Sequence, residues 1–341
     1  MTPQPNSPKS TWHTTKRLLM IVLVIGLLQI SCSSIQNLMA TPTPIPTNTP
    51  IPTNTPIPTN TPTPFPTQIG GGNGKLAFTA RSGDYYQIFT INIDGTNEMN
   101  ISNTSNDEYW ARFSPDGSKI VVHADIGDAY NIVVMNADGS NRVQLTNDTN
   151  NNYWPDWSPD GGKIAFHSLR SGNRDIWVIN SDGTNPIQLT TDSNENRYPS
   201  WSPDGSQIAF ISNRNGSWDL WVMDADGGNQ NVLVNDVGSN NSGRASWSPD
   251  GSKIVFSVGP TGERDIWIAN ADGSGLAQLT ATEANENWPA WSPDGQLIAF
   301  TYNDQGGPEN IWIMNSDGSN LTQLTNTSYN SWLPAWQPVT N

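Results

Sequence analysis

From residue 75 onward the apolar positions come in short bursts, and no stretch sustains a 3.6-residue period. One series runs Leu76-Ala77-Phe78, Ile120-Val122, Ile164-Phe166, Ile208-Phe210, Ile254-Phe256 and Leu297-Phe300. A second follows about ten residues later each time, from Ile88, Ile132, Ile176, Leu220, Ile266 and Ile311. An Asp-Gly pair closes every copy of it, at Asp94, Asp138, Asp182, Asp226, Asp272 and Asp317. Then comes a Gln-Leu-Thr type segment at Leu145, Leu189, Leu279 and Leu324, with variants at 99–101 and 232–234. Short apolar runs bounded by turn residues read as β-strands.

A fourth series precedes the first. The phrase Ser-Pro-Asp-Gly begins at Ser114, Ser158, Ser202, Ser248 and Ser292, at intervals of 44, 44, 46 and 44 residues. An aromatic stands before it each time: Phe113, Trp157, Trp201, Trp247 and Trp291, with a decayed copy at Trp336-Gln337-Pro338. Pro presets φ, Asp caps the turn and Gly takes positive φ, so the phrase is a turn device. Four strands in a unit of about 44 residues predict a β-propeller blade. We call the strands A (ending at the aromatic), B, C and D. The chain opens on a B strand at Leu76 and closes on an A strand at 333–338. The last A strand can only complete the first blade, which leaves no blade short of a strand. Residues 75–338 number 264, or 44 per blade in a closed ring of six. The expected fold is all-β, a six-bladed propeller of four antiparallel strands per blade.

The first 74 residues follow other rules. Lys16 and Arg17 precede an apolar run at 18–30, thirteen residues long, shorter than the ~20 of a spanning helix. A basic start, a short apolar run and small residues form a secretory signal. Cys32, the single cysteine, follows at once. The arrangement resembles a bacterial lipoprotein signal, with Gln29 where such signals favour Leu; an uncleaved anchor and an ordinary signal peptide remain the alternatives. Residues 1–31 are therefore expected to be the signal and Cys32 the lipidated first residue. Proline at every second or third position in 41–67 excludes helix and central strand and favours an extended spacer. Residues 32–74 are expected to be a Thr/Pro-rich stalk ending in a Gly-rich joint, and 75–338 the propeller.

Composition narrows the chemistry. The chain has 341 residues, 16 Lys and Arg against 31 Asp and Glu, and a formal charge of −15. Such a chain repels phosphate backbones, so nucleic acid is not an expected partner. With 13 basic and 31 acidic residues beyond residue 31, the mature form carries −18. One cysteine excludes an intrachain disulfide and multi-cysteine zinc sites. His123 and His167 fall at matching B-strand positions, where the other copies offer Thr79, Ile211, Ser257 and Thr301, too few ligands for zinc. No Gly-x-Ser-x-Gly elbow is present. No catalytic residue, metal or cofactor is expected, and the chain is read as non-enzymatic.

The phrases W-S-P-D-G-x-x-I-A-F, D-I-W-V-x-N-x-D-G and L-T resemble the WD40-like repeat of the TolB family. They are also similar to the propellers of prolyl oligopeptidase and dipeptidyl peptidase relatives. The resemblance covers 75–338 and implies a propeller; no hydrolase domain is expected beside it. A TolB protein is periplasmic and carries an N-terminal α/β domain, in whose place this chain has its signal and stalk.

The informative segments are those in which the blades differ. In propellers of this type the D-to-A and B-to-C loops share one face, around the mouth of the channel. There the sequence gathers Tyr109, Tyr153 and, as candidate ligand-binding residues, Trp110, Trp154, Tyr198, Arg244, Trp288 and Trp332. Aromatic faces among amides and guanidinium groups suit sugars or extended peptides, and the net charge favours neutral or cationic polymers. The competing reading makes these rings blade core. The function expected is a tethered, monomeric binding module of the cell envelope, joined to the membrane by its lipid and recognising a protein or glycan. A TolB-type structural protein of the envelope is the alternative, and a propeller lyase or hydrolase a more distant one.

Overall fold

The structure is a computed structural model that describes residues 74–238, 244–304 and 306–338. The signal, Cys32 and the stalk to residue 73 lie outside the described residues. Six four-stranded antiparallel sheets follow one another as blades around an axis. Strand A lines the axis and the short strand D lies at the rim. In blade two the strands are A (Glu108–Phe113), B (Lys119–Ile126), C (Ala129–Asn136) and D (Val143–Gln144). The order repeats in blades three to six.

Blade one is completed by the other end of the chain. Its strand A (Ser331–Trp336) pairs with strand B (Lys75–Ser82), Leu76 opposite Trp336 and Ala80 opposite Ser331. Expected strand order and closure are both observed. This pairing satisfies backbone groups that an open ring would leave at a sheet edge.

The core lies between blades. Strand B sends Phe78, Phe166, Phe210, Phe256 and Phe300 fully inward, each worth ~1.5–3 kcal/mol of burial. Trp201, Ile208, Phe210 and Trp221 of blade four pack on Ile176, Val178 and Leu189 of blade three. The tryptophan ending strand A reaches back to the preceding blade: the indoles of Trp157, Trp247 and Trp336 donate to the carbonyls of Arg112, Ser200 and Ala290.

Both repeated turns lie on one face. In the Pro-Asp-Gly turn, Ser114 Oγ donates to Asp116 and accepts from the Lys119 amide at 2.9 Å. The Asp-Gly turn between C and D has a second role that its sequence does not announce. A Cβ on Gly183 would stand 3.1 Å from the Leu145 carbonyl oxygen, and one on Gly227 2.9 Å from that of Leu189. These glycines let each blade abut the D strand of its predecessor, besides taking φ of 85° and 90°.

Removal of residues 331–341 should strip blade one of its A strand and lower the unfolding free energy by several kcal/mol, a large share of the ~5–15 typical of domains. An unchanged denaturation midpoint would contradict the closure. Gly227→Ala should destabilise more than Gly216→Ala, whose added Cβ meets nothing within 4 Å; urea denaturation of the two variants compares them.

Candidate functional site

Strand A is bulged where it passes the axis. Its pairing with strand B shifts between Tyr109 and Arg112, Tyr153 and Asp156, Arg197 and Ser200, and Asn287 and Ala290. Inside each shift one bulky residue adopts left-handed backbone: Trp110 (φ 64°), Trp154 (58°), Tyr198 (57°) and Trp288 (57°), with Leu333 (60°) in blade one. Such φ values are costly for bulky side chains and persist only where the surroundings fix them. The fixing group is a B-strand acceptor in the preceding blade. Thr79 Oγ1 accepts from the Trp110 amide at 3.2 Å, His123 Nδ1 from Trp154 at 3.4 Å, His167 Nδ1 from Tyr198 at 3.3 Å and Thr301 Oγ1 from Leu333 at 3.1 Å. The recurrent B-strand position in the sequence is therefore a hydrogen-bond acceptor that threonine or neutral histidine can supply.

The bulge directs these side chains to the axis, where they close it. Trp154 stacks on Trp288 at 4.9 Å and 18° across the full width of the ring. Trp110 meets Trp154 edge-on at 4.3 Å, and Tyr198 meets Trp154 at 4.8 Å. Arg244 reaches over the Trp110 ring at 3.9 Å and donates to the Pro289 carbonyl. Arg112 covers Trp110 at 4.5 Å and pairs with Asp156. Trp110, Tyr198, Arg244 and Trp288 are 3%, 4%, 3% and 8% exposed, so these four form a buried plug. Trp154 is half-buried at its edge. Trp332 does not belong to this set. The decayed last copy places Leu333 at the left-handed position and Trp332 one residue earlier, at the register position of Tyr109 and Tyr153.

Above the plug, half-buried rings form a continuous arc across blades one to three. Trp332 lies 5.7 Å from Tyr86, Tyr86 5.3 Å from Tyr109, Tyr109 6.1 Å from Tyr130, and Tyr130 5.1 Å from Tyr153. Tyr86 and Tyr130 were not singled out by the sequence reading. Each stands two residues before the apolar run of strand C that begins at Ile88 or Ile132, a position held by Arg174, Trp218, Arg264 and Glu309 in the other blades. Aligning the blades at that position would have found them. The loops are clasped together: the Tyr86 amide donates to Asp107, that of Tyr130 to Asn151 and that of Glu309 to Asn330. Arg170 and Arg214, carried by B-to-C loops, are held by side chains of the D-to-A segments. Arg170 binds Asp148 and Asn152 over Trp177, and Arg214 binds Asp192 and Asn196 over Trp221. On the opposite face lie inter-blade grooves of about 320 and 560 Å³, lined by the Pro-Asp-Gly turns with Trp247 and Trp291.

Several titratable groups are buried. Burial pushes the His123 imidazole down to about 3 and holds His167 well below its ordinary value, so both are neutral acceptors at Nδ1. Burial pushes Asp156 up to about 6 against the pull of Arg112. At the junction of blades five and six two carboxyls meet, Asp265 and Glu286. Burial, reinforced by the neighbouring carboxyl, pushes Glu286 up to about 8. Among the described residues no group of three or more His, Cys, Asp or Glu is placed to hold a metal ion.

These features define a six-bladed propeller with a closed axis and an aromatic mouth. Residues 70–245 and 232–340 match the TolB beta propeller domain, and the chain belongs to that family. Its fold is similar to TolB of Acinetobacter baumannii (23% identity, TM-score 0.68, covering 79% of this chain and 68% of that one). It is also similar to a putative TolB of Agrobacterium tumefaciens (22% identity, TM-score 0.65, 77% and 94%). Hydrazine synthase of Kuenenia stuttgartiensis shares the fold at 18% identity and a TM-score of 0.65, over 78% of this chain and 47% of that one. No protein of curated function matches the sequence.

The pH dependence of stability follows. Histidines held neutral in the fold cost stability as pH falls below 6.5, progressively toward the folded value of about 3 for His123. Glu286, favoured in its neutral form, costs stability as pH rises from 4.5 toward about 8. Each unit of difference is worth about 1.4 kcal/mol. Glu286→Gln should therefore gain stability over the native chain at pH 8 and gain little at pH 4.5. Urea denaturation across that range measures it, and parallel pH profiles would refute the assignment.

Proposed function

We propose that this protein is a non-catalytic binding module of the cell envelope, monomeric, that recognises a protein or glycan through the loop face of its propeller. The observation that carries this reading is the arc from Trp332 to Tyr153, five half-buried rings whose closest neighbours stand 5.1–6.1 Å apart. Tyrosine and tryptophan held rigid by neighbours offer contact area at low entropic cost, which is how recognition surfaces gain affinity. The loops bearing these rings differ from blade to blade, whereas the turns of the other face repeat. Trp154 completes the floor of this mouth, while Trp110, Tyr198, Arg244 and Trp288 support it from below. Lipidation at Cys32 and the stalk of 32–74 would hold the propeller clear of the membrane. Membership of the TolB propeller family favours a second reading, a structural role within an envelope assembly; both readings use the same face.

Trp332→Ala combined with Tyr109→Ala should abolish capture of envelope components on the immobilised protein while lowering the thermal midpoint only slightly. Trp110→Ala should instead lower stability by ~3–5 kcal/mol, the cost of emptying a buried aromatic site. Unimpaired capture by the double variant would remove the mouth from consideration. Cys32→Ala should move the protein from the membrane to the soluble fraction; retention after a carbonate wash would make the apolar run an anchor.

A further inference from the structure

The mouth is not electrically uniform. In blades one and two its loops, residues 81–86, 103–107 and 125–130, carry four carboxylates, Asp84, Asp107, Asp125 and Asp128, and one cation, Arg81. The B-to-C loops of blades three and four, 169–174 and 213–218, carry Arg170, Arg174 and Arg214 and no carboxylate. Two of the acidic residues stand among the rings of the arc. Asp107 Oδ1 accepts from the Tyr86 amide at 2.8 Å, and its Oδ2 from the Tyr109 hydroxyl at 3.3 Å. Asp125 is paired directly with Tyr130 across strands B and C of blade two, a position that sets two side chains on one side of the sheet at ~4.5–5.5 Å. The Asp125 amide donates to the Asp107 carbonyl at 2.8 Å and joins the two segments. Tyr109, Tyr130, Asp107 and Asp125 are all half-buried, so each keeps a surface open to solvent. Neither of these carboxylates takes part in an ion pair among the described residues. The arginines at the two ends of the arc are engaged: Arg81 lies over Tyr86 at 5.9 Å and donates to the Gly83 carbonyl, and Arg174 donates to Glu195.

Elsewhere the chain shows four times what a ring and a carboxylate hold together. Arg112 lies over Trp110 at 4.5 Å and pairs with Asp156. Arg170 lies over Trp177 at 4.8 Å and pairs with Asp148. Arg197 lies over Trp218 at 4.9 Å and pairs with Glu195, and Arg214 over Trp221 at 4.6 Å with Asp192. At Tyr109 and Tyr130 the rings and the carboxylates are present and face solvent, and the chain itself brings no guanidinium to them. The rings are suited to a cation. Burial, with the Asp125 and Asp107 carboxylates behind it, holds the Tyr130 hydroxyl above its ordinary value, so the ring stays a neutral phenol. Tyr109 is backed by the neutral His123 ring, stacked at 5.5 Å and 19°, which opposes no positive charge. A guanidinium is planar and weakly hydrated; it stacks on an aromatic face and meets a carboxylate bidentately, which a compact ammonium does less well. An amino sugar carries its charge as an ammonium, so these groups favour arginine, and with it a protein.

We propose that the rings of Tyr109 and Tyr130, flanked by Asp107 and Asp125, form a subsite for a guanidinium group, and that the partner of the mouth is a protein segment presenting an arginine side chain. This rests on the reading of the mouth as a binding face and narrows its ligand from a protein or glycan to an arginine-bearing protein. The formal charge of −15 draws a basic segment toward the domain, and the four carboxylates of blades one and two direct it to this side of the mouth.

Titration calorimetry on the full chain tests this with peptides of the form Gly-X-Gly-X-Gly, blocked at both ends, in which X is arginine, lysine or the uncharged isostere citrulline. A tetramer of glucosamine is the fourth probe. The arginine peptide should bind roughly tenfold more tightly than the citrulline one, the worth of one charge-assisted bond, with the lysine peptide between them. The difference should shrink as salt rises from about 0.1 to about 1 M, where the Debye length falls from about 10 to about 3 Å. Asp125→Asn should remove most of the difference and leave the citrulline peptide's affinity unchanged. Asp182→Asn removes the same charge from a turn of the opposite face and should change nothing; an equal loss there would reduce the effect to long-range attraction and overturn the subsite. The comparison of probes on the native chain stands even if a variant folds poorly. Equal affinity for the arginine and citrulline peptides would overturn the subsite while leaving the mouth as a binding face. Binding of the lysine peptide as tight as that of the arginine one would overturn the guanidinium assignment, and tighter binding of the glucosamine tetramer than of any peptide would overturn the choice of a protein. Binding of none of the four would overturn the inference, and the capture experiment on the double variant would then decide the broader reading on its own.

Discussion

Five of the six blades pass the axis through one left-handed residue, and in four of them an acceptor from the preceding blade holds its amide. A left-handed tryptophan or tyrosine costs of order 1–3 kcal/mol. The cost is offset twice: the residue's amide is satisfied by Thr79, His123, His167 or Thr301 of the preceding blade, and its ring is buried against rings from across the ring. Blades one to four thus depend on their predecessors for the conformation of the innermost strand. Closure by Ser331–Trp336 follows the same logic, because Leu333 takes its acceptor from Thr301 of blade six. A propeller tied in this way is stable only as a complete ring.

The two faces divide the work. On one, the same turn is made again and again, and its glycines permit close approach of neighbouring blades. On the other, the residues one step from the bulge and one step from strand C are free to vary. They do so in sectors: Trp332, Tyr86, Tyr109, Tyr130 and Tyr153 in one, Arg174, Arg197 and Arg264 in the next. The plug beneath gives these side chains a rigid base, which is what a recognition surface requires if binding is not to be spent on ordering it.

Local charge and total charge point in different directions. The formal charge of the whole chain is −15, and 11 of its 31 acidic residues are the aspartates of the repeated turns, where Asp116, Asp138 and Asp182 are held below their ordinary values by hydroxyl and amide donors. The arginines nearest the axis are held differently: Arg112 and Arg244 cover Trp110, and Arg174 and Arg197 share Glu195. A net charge governs approach from a distance; contact is governed by the groups at the site.

Period and turn chemistry determined the fold. Spacings of 44 to 46 residues, an unpaired first B strand and a surplus last A strand leave one closed arrangement, because a β-sheet cannot leave its edge groups unsatisfied in a core. The recurrence of aromatics near the start of strand A was equally visible. Their fate was not, since a bulge moves successive residues to different sides and is invisible in a pattern of residue types. Hence Trp110, Tyr198, Arg244 and Trp288 became a plug, Trp332 stood one position from where its motif suggested, and Tyr86 and Tyr130 entered the mouth unannounced. The paired histidines likewise gained their meaning only when the neighbouring blade brought an amide to each. What joins residues within one blade can be read along the chain; what joins one blade to the next depends on tertiary geometry, and in this protein the site is built from the second kind.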